Sequence, residues 1–296
     1  MSDDADLPPS PRAEEPPVLR GEEIPAPPRI ERITLSRRKV IGATWRGKEI
    51  NDLNALKTVF ENCDFRYSNF KRGYFRDARF VNCMFDGVRF DDCNFKSANF
   101  YGCELQYAHF HKSVVEVREI VASLPAAPNI RRESLQNLKA NAIEVGDHDS
   151  IGYLVLQEIS ATERHYSYAM CAFDTYYRNK YSTLWAKVEA GMKLLGLKIS
   201  GLVWGHGEKP WRLLISCLTI LVLLGFVNFW SVMPRIGWND THRGVDVIVY
   251  VFRRFLDVSP DGTFKGFEFV DVVAVIMRYV YIGLFISILY KSISHR

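Results

Sequence analysis

The chain has 296 residues, 48% of them hydrophobic, and a formal net charge of +4. That length holds two or three domains, and so small a net charge singles out no partner. No Walker A motif, GxSxG, HExxH or paired CxxC occurs, so no catalytic or zinc-binding constellation is expected. The chain is read as a non-enzyme without cofactor or metal. No cleavable signal peptide is expected at its start, and its six cysteines suit a reducing compartment.

In chain order, residues 1–28 hold eight of the thirteen prolines and seven acidic residues. They carry no apolar periodicity, which predicts a disordered tail. Residues 29–49 turn basic, with Arg29, Arg32, Arg37, Arg38, Lys39, Arg46 and Lys48. Among them Ile33, Leu35, Val40, Ile41 and Trp45 predict short strands that cap a solenoid. The basic edge is read as solvated, with the acidic tail able to fold over it; anionic lipid or nucleic acid is the other occupant it suits.

From Phe60 to Phe110 a large apolar residue returns every fifth position: Phe60, Phe65, Phe70, Phe75, Phe80, Phe85, Phe90, Phe95, Phe100, Leu105, Phe110. Neither a helix nor a strand has this period, so the segment is a repeat architecture. Two residues before each large one sits a mostly small one, among them Cys63, Ser68, Gly73, Ala78, Cys83, Cys93 and Cys103. The remaining positions are largely polar. One small and one large residue per unit therefore point inward, and each coil buries its face against the next. The four inward cysteines are read as small buried hydrophobes rather than ligands or disulfides.

Cys63-Asp64-Phe65, Cys93-Asn94-Phe95 and Ala98-Asn99-Phe100 closely resemble units of the pentapeptide-repeat family. The resemblance implies a right-handed, quadrilateral β-helix with four units per coil, hence fewer than three coils over residues 60–110. The repeat core then comprises Phe65, Phe70, Phe75, Phe80, Phe85, Phe90, Phe95, Phe100 and Leu105. Some pentapeptide proteins mimic DNA, but residues 60–110 hold seven acidic and seven basic residues. No nucleic-acid mimicry or partner is expected from that balance.

Residues 113–200 read as helical. One helix is predicted over Glu133–Val145, with a Gly146-Asp147-His148-Asp149 turn whose aspartate caps the next helix. Phe173, Tyr177, Tyr181, Leu184, Val188, Met192 and Leu195 recur at a spacing that predicts one helix face. His148 between its aspartates, and His109 and His111 on either side of Phe110, are read as solvated residues, not metal ligands.

Trp211–Val232 has twenty residues without a charge after Arg212, enough to cross a hydrocarbon core of about 30 Å. Trp211 and Trp230 bracket it like interfacial anchors. Phe267–Tyr290 predicts a second span. It contains Arg278, which must face protein or water; Asp271, two turns earlier, is one candidate partner and another subunit is the other. Two spans place both termini on one side, read as cytoplasmic.

The stretch Ser200–Arg212 and the segment Ile282–Leu289 followed by Lys291 are similar to bacterial pentapeptide-repeat proteins that carry a two-span, potassium-channel-like domain. Leu138-Lys139, Gly146-Asp147 and Glu158 resemble their helical linker. The domains expected are a tail over 1–28, a capped β-helix over 29–112, a helical connector over 113–204 and a two-span domain with a re-entrant loop over 205–296. Such channels carry a T-x-G-Y-G filter between their helices. Here Val247–Phe252 stands where the pore helix would be, and Phe255–Gly262 replaces the filter. Arg253 and Arg254 near the pore mouth would repel cations. The reading is thus an oligomeric channel-like protein of the bacterial inner membrane, a tetramer by analogy and not potassium-selective. Arg253, Arg254, Asp257, Asp261, Asp271 and Arg278 are its candidate pore residues. The alternative is a non-conducting, membrane-anchored scaffold that binds a protein partner through the β-helix.

Overall fold

The computed structural model describes residues 16–21, 27–171, 173–207, 210–236, 241–258 and 267–294. The chain divides into two compact units, Met1–Thr162 and Glu163–Arg296.

The first unit is a parallel β-helix with a helical closure. Three-residue strands form two sheets. One contains Val18–Arg20, Lys39–Ile41, Val59–Glu61, Arg79–Val81 and Asn99–Tyr101; the other contains Arg29–Glu31, Glu49–Asn51, Asn69–Lys71, Arg89–Asp91 and His109–His111. Every pairing is parallel, and within the repeat each residue sits over the one twenty places earlier, as in Phe60↔Phe80 and Phe70↔Phe90. Isolated parallel bridges, such as Asp64↔Met84 and Tyr74↔Asn94, make the other two sides. A twenty-residue coil of four five-residue sides follows from this register.

The inward Phe rings stack from coil to coil. Phe65 lies 5.1 Å from Phe85 at 21°, and Phe75 lies 4.7 Å from Phe95 at 8°. Neighbouring sides meet edge to face, as Phe60 does with Phe65 at 80°. Both are favoured aromatic geometries. Phe65, Phe70, Phe75, Phe80, Phe85, Phe90, Phe95, Phe100 and Leu105 are all buried.

Two features differ from the expectation of a short, capped solenoid. Ile30, Leu35, Val40, Trp45, Ile50 and Ala55 are buried in the same five-residue phase as Phe60. Residues 29–49 are therefore coils of the β-helix rather than a cap, and Ile30, Ile50, Phe70, Phe90 and Phe110 stack over four turns. Part of the tail is also ordered. Val18–Arg20 pairs with Lys39–Ile41 and covers that strand's edge, while Leu19 packs against the core. Residues 1–15 and 22–26 lie outside the described residues.

Corners are made by left-handed residues at one position per unit, two after the inward large residue. Asn62, Tyr67, Arg72, Asp77, Asn82, Gly87, Asp92, Ser97 and Gly102 all have φ between 52° and 65°. The small inward ring adds hydrogen bonds to the coil below. Thr58 Oγ1 donates to Leu35 O at 2.7 Å, Cys83 Sγ to Phe60 O at 3.5 Å, Cys103 Sγ to Phe80 O at 3.5 Å and Ser113 Oγ to Phe90 O at 3.1 Å. Each donor reaches the carbonyl 23 residues earlier. The cysteines are thus weak donors in a polar ladder as well as small core residues. Burial pushes the Cys93 thiol up to about 12, so it stays neutral.

A β-helix that simply stopped would present an unpaired strand edge. Three helices close it: α1 (Val117–Ala122), α2 (Pro128–Val145) and the start of α3 (His148–Cys171). Pro128 opens α2 at its first position, where a missing N–H costs nothing, so the helix starts before the predicted Glu133. Asn137 and Asn141 stand one turn apart on α2 and imitate the next strand. The Phe110 amide donates to Asn137 Oδ1 at 2.9 Å and Asn137 Nδ2 to Phe110 O at 3.2 Å. The Ser113 amide donates to Asn141 Oδ1 at 2.8 Å and Asn141 Nδ2 to Ser113 O at 2.7 Å. Asp147 caps α3, its Oδ1 accepting from the Ser150 amide at 3.2 Å.

The second unit contains α4 (Thr175–Lys180), α5 (Leu184–Trp204), α6 (Pro210–Ile236), α7 (Thr241–Leu256) and α8 (Glu268–Ser294). The single helix face predicted from Phe173 to Leu195 is broken. Thr183 caps α5, accepting from the Ala186 amide at 3.3 Å, so α4 and α5 are separate. Tyr177 is buried, whereas Phe173, Leu184, Met192 and Leu195 are exposed.

Candidate functional site

The candidate site lies among α6, α7 and α8. Trp211–Val232 and Glu268–Tyr290 are long and apolar enough to cross a membrane. Only 28% and 11% of the most apolar stretches of these two helices are buried in the chain, unlike the core helix of a soluble protein, whose apolar residues are covered. Leu214, Leu218, Leu223 and Phe226 on α6, and Val272, Ile276, Tyr279 and Ile286 on α8, all stand exposed.

Between them in sequence runs α7, longer than the predicted Val247–Phe252. It packs on both long helices and buries Tyr250 and Val251 with Leu221, Val270 and Ala274. Gly225 permits the approach of α6 to α7, since a Cβ there would stand 2.9 Å from Ile248 Cγ2. The outward side of α7 carries Val245, Asp246, Val249 and Arg253.

Polar groups enter this apolar packing at defined points. Asn228 of α6 is buried, and its Oδ1 accepts from the Phe267 amide at 3.0 Å, tying α6 to the start of α8. Tyr250 OH donates to Asp271 Oδ2 at 3.1 Å. The other Asp271 oxygen, Oδ1, and Arg254 Nε are buried without a hydrogen-bond partner. Tyr281 OH donates to Ser216 Oγ at 3.0 Å and joins α8 to α6.

Arg278 does not take Asp271 as its partner. Its Nη1 lies 2.8 Å from Asp257 Oδ1. Asp257 has φ 61° and ends α7 in the left-handed conformation, which turns its carboxylate toward α8. The Arg278 side chain is 16% exposed and that of Asp257 72%. The guanidinium holds the Asp257 carboxyl below the usual carboxylate range. Of the residues singled out in the sequence, Arg254, Asp257, Asp271 and Arg278 are therefore brought around the C-terminal end of α7. Arg253 lies beside them on the exposed side, and Asp261 lies outside the described residues. Asn228 and Tyr250 were missed. An asparagine inside an otherwise apolar span was the available signal for the first.

Among the described residues no group of three or more His, Cys, Asp or Glu is placed to hold a metal ion. His111 stands near two carboxylates, with Nδ1 3.3 Å from Asp91 and Nε2 3.7 Å from Glu144, beside the strand edge that α2 covers.

Comparison with known proteins bears on the first unit. No curated protein matches the sequence. A solved structure of QnrB1, a plasmid-mediated fluoroquinolone resistance protein, is 17% identical and matches 33% of this chain and 62% of that one, at a TM-score of 0.12. The match thus spans less than two thirds of QnrB1, and its score is too low to carry an argument. Residues 55–121 match the family described as pentapeptide repeat region and include the stacked phenylalanine coils, so the chain carries a pentapeptide-repeat region folded as a parallel β-helix.

Proposed function

We propose that the protein is an oligomeric, channel-like membrane protein whose α6 and α8 span the bilayer and whose pentapeptide β-helix is a scaffold on the side of the termini. The observation that carries this reading is α7. A short helix with an apolar side and an arginine-bearing side is packed on both of two long helices that leave most of their own apolar surface uncovered. Two spans cannot enclose a pore alone, so the conduction path lies between subunits. The unpartnered Arg254 Nε and Asp271 Oδ1 support a neighbour or a polar path at this level, because buried polar atoms without partners are costly. The ion pair Asp257–Arg278 ties the end of α7 to α8. It makes the end of α7 a fixed position for the arginines rather than a loose loop.

With Arg253 and Arg254 repeated around a symmetry axis, the mouth of the path is positive and does not select potassium. In planar-bilayer recordings the wild type should pass anions or discriminate weakly. Reversing both charges, Arg253→Glu with Arg254→Glu, should move the reversal potential toward that of the cation. Sharp potassium selectivity in the wild type would contradict the reading.

A second reading, a non-conducting anchored scaffold, is favoured by the outer surface of the β-helix. Tyr67, Tyr101 and Tyr107 stand about half exposed there, and aromatic side chains are enriched in protein-binding surfaces. Absence of current under every voltage applied, with a partner retained by the β-helix, is the outcome that reading expects.

A further inference from the structure

Helix α5 carries an apolar stripe that nothing in its own unit covers from Leu184 to Leu195; farther on, Ile199 and Leu202 line grooves beside α6 and α8. Leu184, Val188, Met192, Leu195, Ile199 and Leu202 recur at spacings of three and four, the period of one helix face, and each is between 43% and 78% exposed. The opposite side is the packed one: Ala190 is buried against Ala169 and Tyr177. Lys187, Lys193 and Lys198 are distributed along the helix against the single acid Glu189, which is already bonded to Lys193 at 2.6 Å. Trp185, beside the stripe, is exposed as well.

The far end of α5 is fixed to the first candidate span. Arg212 Nη1 donates to Gly201 O at 3.1 Å and Ser216 Oγ to Val203 O at 2.7 Å, across the Gly205–Gly207 turn. The end of α5 is thus tied to the segment that begins at Trp211. From Leu184 to Leu202 the helix is about 27 Å long at 1.5 Å per residue. A helix of this length inserted end-on from Trp204 would carry Lys193, about 16 Å along it, to the middle of a hydrocarbon core about 30 Å thick, at a large cost. Laid flat, its apolar stripe enters the acyl boundary while the lysines reach the phosphate level.

We propose that α5 is an interfacial helix, seated in the plane of the bilayer on the side where α6 begins, with its Leu184–Leu195 stripe against lipid and the flanking Lys187 and Lys198 at anionic headgroups. This inference rests on the membrane reading of α6 and α8. Within the second unit, a tilt of α6 at Trp211 would then move a helix that lipid holds in plane.

The test places an environment-sensitive fluorophore at single cysteines in the full-length protein, with the exposed Cys171 and the partly buried Cys217 replaced by serine. The bilayer is a vesicle of phosphatidylethanolamine and phosphatidylglycerol. Its acyl chains are brominated either near the headgroup or near the chain end. Leu195→Cys reports the stripe and Lys193→Cys the opposite side. Leu218→Cys and Leu223→Cys, about 140° apart on α6, report the span. The proposal expects shallow bromines to quench position 195 at least twofold more than position 193, with deep bromines quenching 218 or 223. Quenching on α6 with position 195 no better quenched than 193 overturns the inference and leaves the span standing. Position 195 shielded from both bromine and aqueous iodide overturns it too, because a second copy or another protein then covers the stripe. Lack of quenching at both α6 positions overturns the spanning reading, and this inference with it.

Discussion

At the scale of single residues, the first unit rests on two positions per five-residue unit that act in different ways. The inward phenylalanine contributes burial and ring stacking. Phe85 stacks on Phe65 and meets Phe80 edge to face at 5.3 Å. Phe85→Ala should cost about 3–5 kcal/mol, whereas Arg89→Ala, on the exposed side of the coil, should cost under about 0.5 kcal/mol. Thermal unfolding of residues 1–162 distinguishes them, and equal losses would mean that the five-residue phase is wrong. The corner position contributes backbone conformation. Gly47 has φ 67° and open space where a Cβ would go, and Lys57 has φ 54°. Gly47→Ala should cost about 1–2 kcal/mol from left-handed strain alone, while Lys57→Ala, already strained, should change stability by less than about 0.5 kcal/mol. The same melting measurement applies, and a neutral Gly47→Ala would show that the coil tolerates a side chain there without strain. The inward phase was legible from Phe60 onward because phenylalanine fills it. Upstream, Arg38 and Lys48 occupy the small-residue place and Ile30, Val40 and Ala55 the large one, so the same coil was hidden. The corners were not legible at all. Arg, Asp, Asn, Tyr and Gly share one conformation there, because the inter-coil hydrogen bonds fix the backbone whatever the side chain.

At the scale of elements, the junctions decide more than the elements do. Asn137 and Asn141 convert one face of α2 into a substitute strand and end the β-helix without an open edge. Asn141→Leu should leave the Ser113 amide and carbonyl unpaired in a buried place, at about 1–3 kcal/mol. Gln136→Leu, on the exposed side of α2, should cost under about 0.5 kcal/mol. Faster hydrogen exchange at the Ser113 amide in the first variant alone is the expected result, and equal protection in both would remove the capping role. Helix α2 could be read from the sequence, but its pairing with a strand edge could not. Periodicity reports which side of a helix is apolar, not which backbone lies opposite its polar residues. The Asp257–Arg278 pair was hidden for the same reason in the second unit. A helix-period argument looks for the partner of Arg278 on its own helix, at Asp271. The chain supplies it from the end of α7, through a left-handed turn at a residue that is not glycine.

At the scale of the whole molecule, the chain joins a stiff stack of aromatic coils to a group of helices whose apolar surface is largely uncovered. Those two characters were visible in the sequence as a period of five and two long charge-poor segments. The polar points inside the helical unit were only partly visible, because each is defined by a contact across helices. The uncovered surface of α6 and α8 demands lipid, and the polar atoms at the end of α7 demand a neighbour or water. The proposed oligomer within a bilayer would meet both. Counting subunits in lipid nanodiscs, by stepwise photobleaching of a single label on each chain, tests this most directly. The account predicts a closed symmetric assembly, four chains by analogy with two-span channels. A strictly monomeric protein in the bilayer would contradict it.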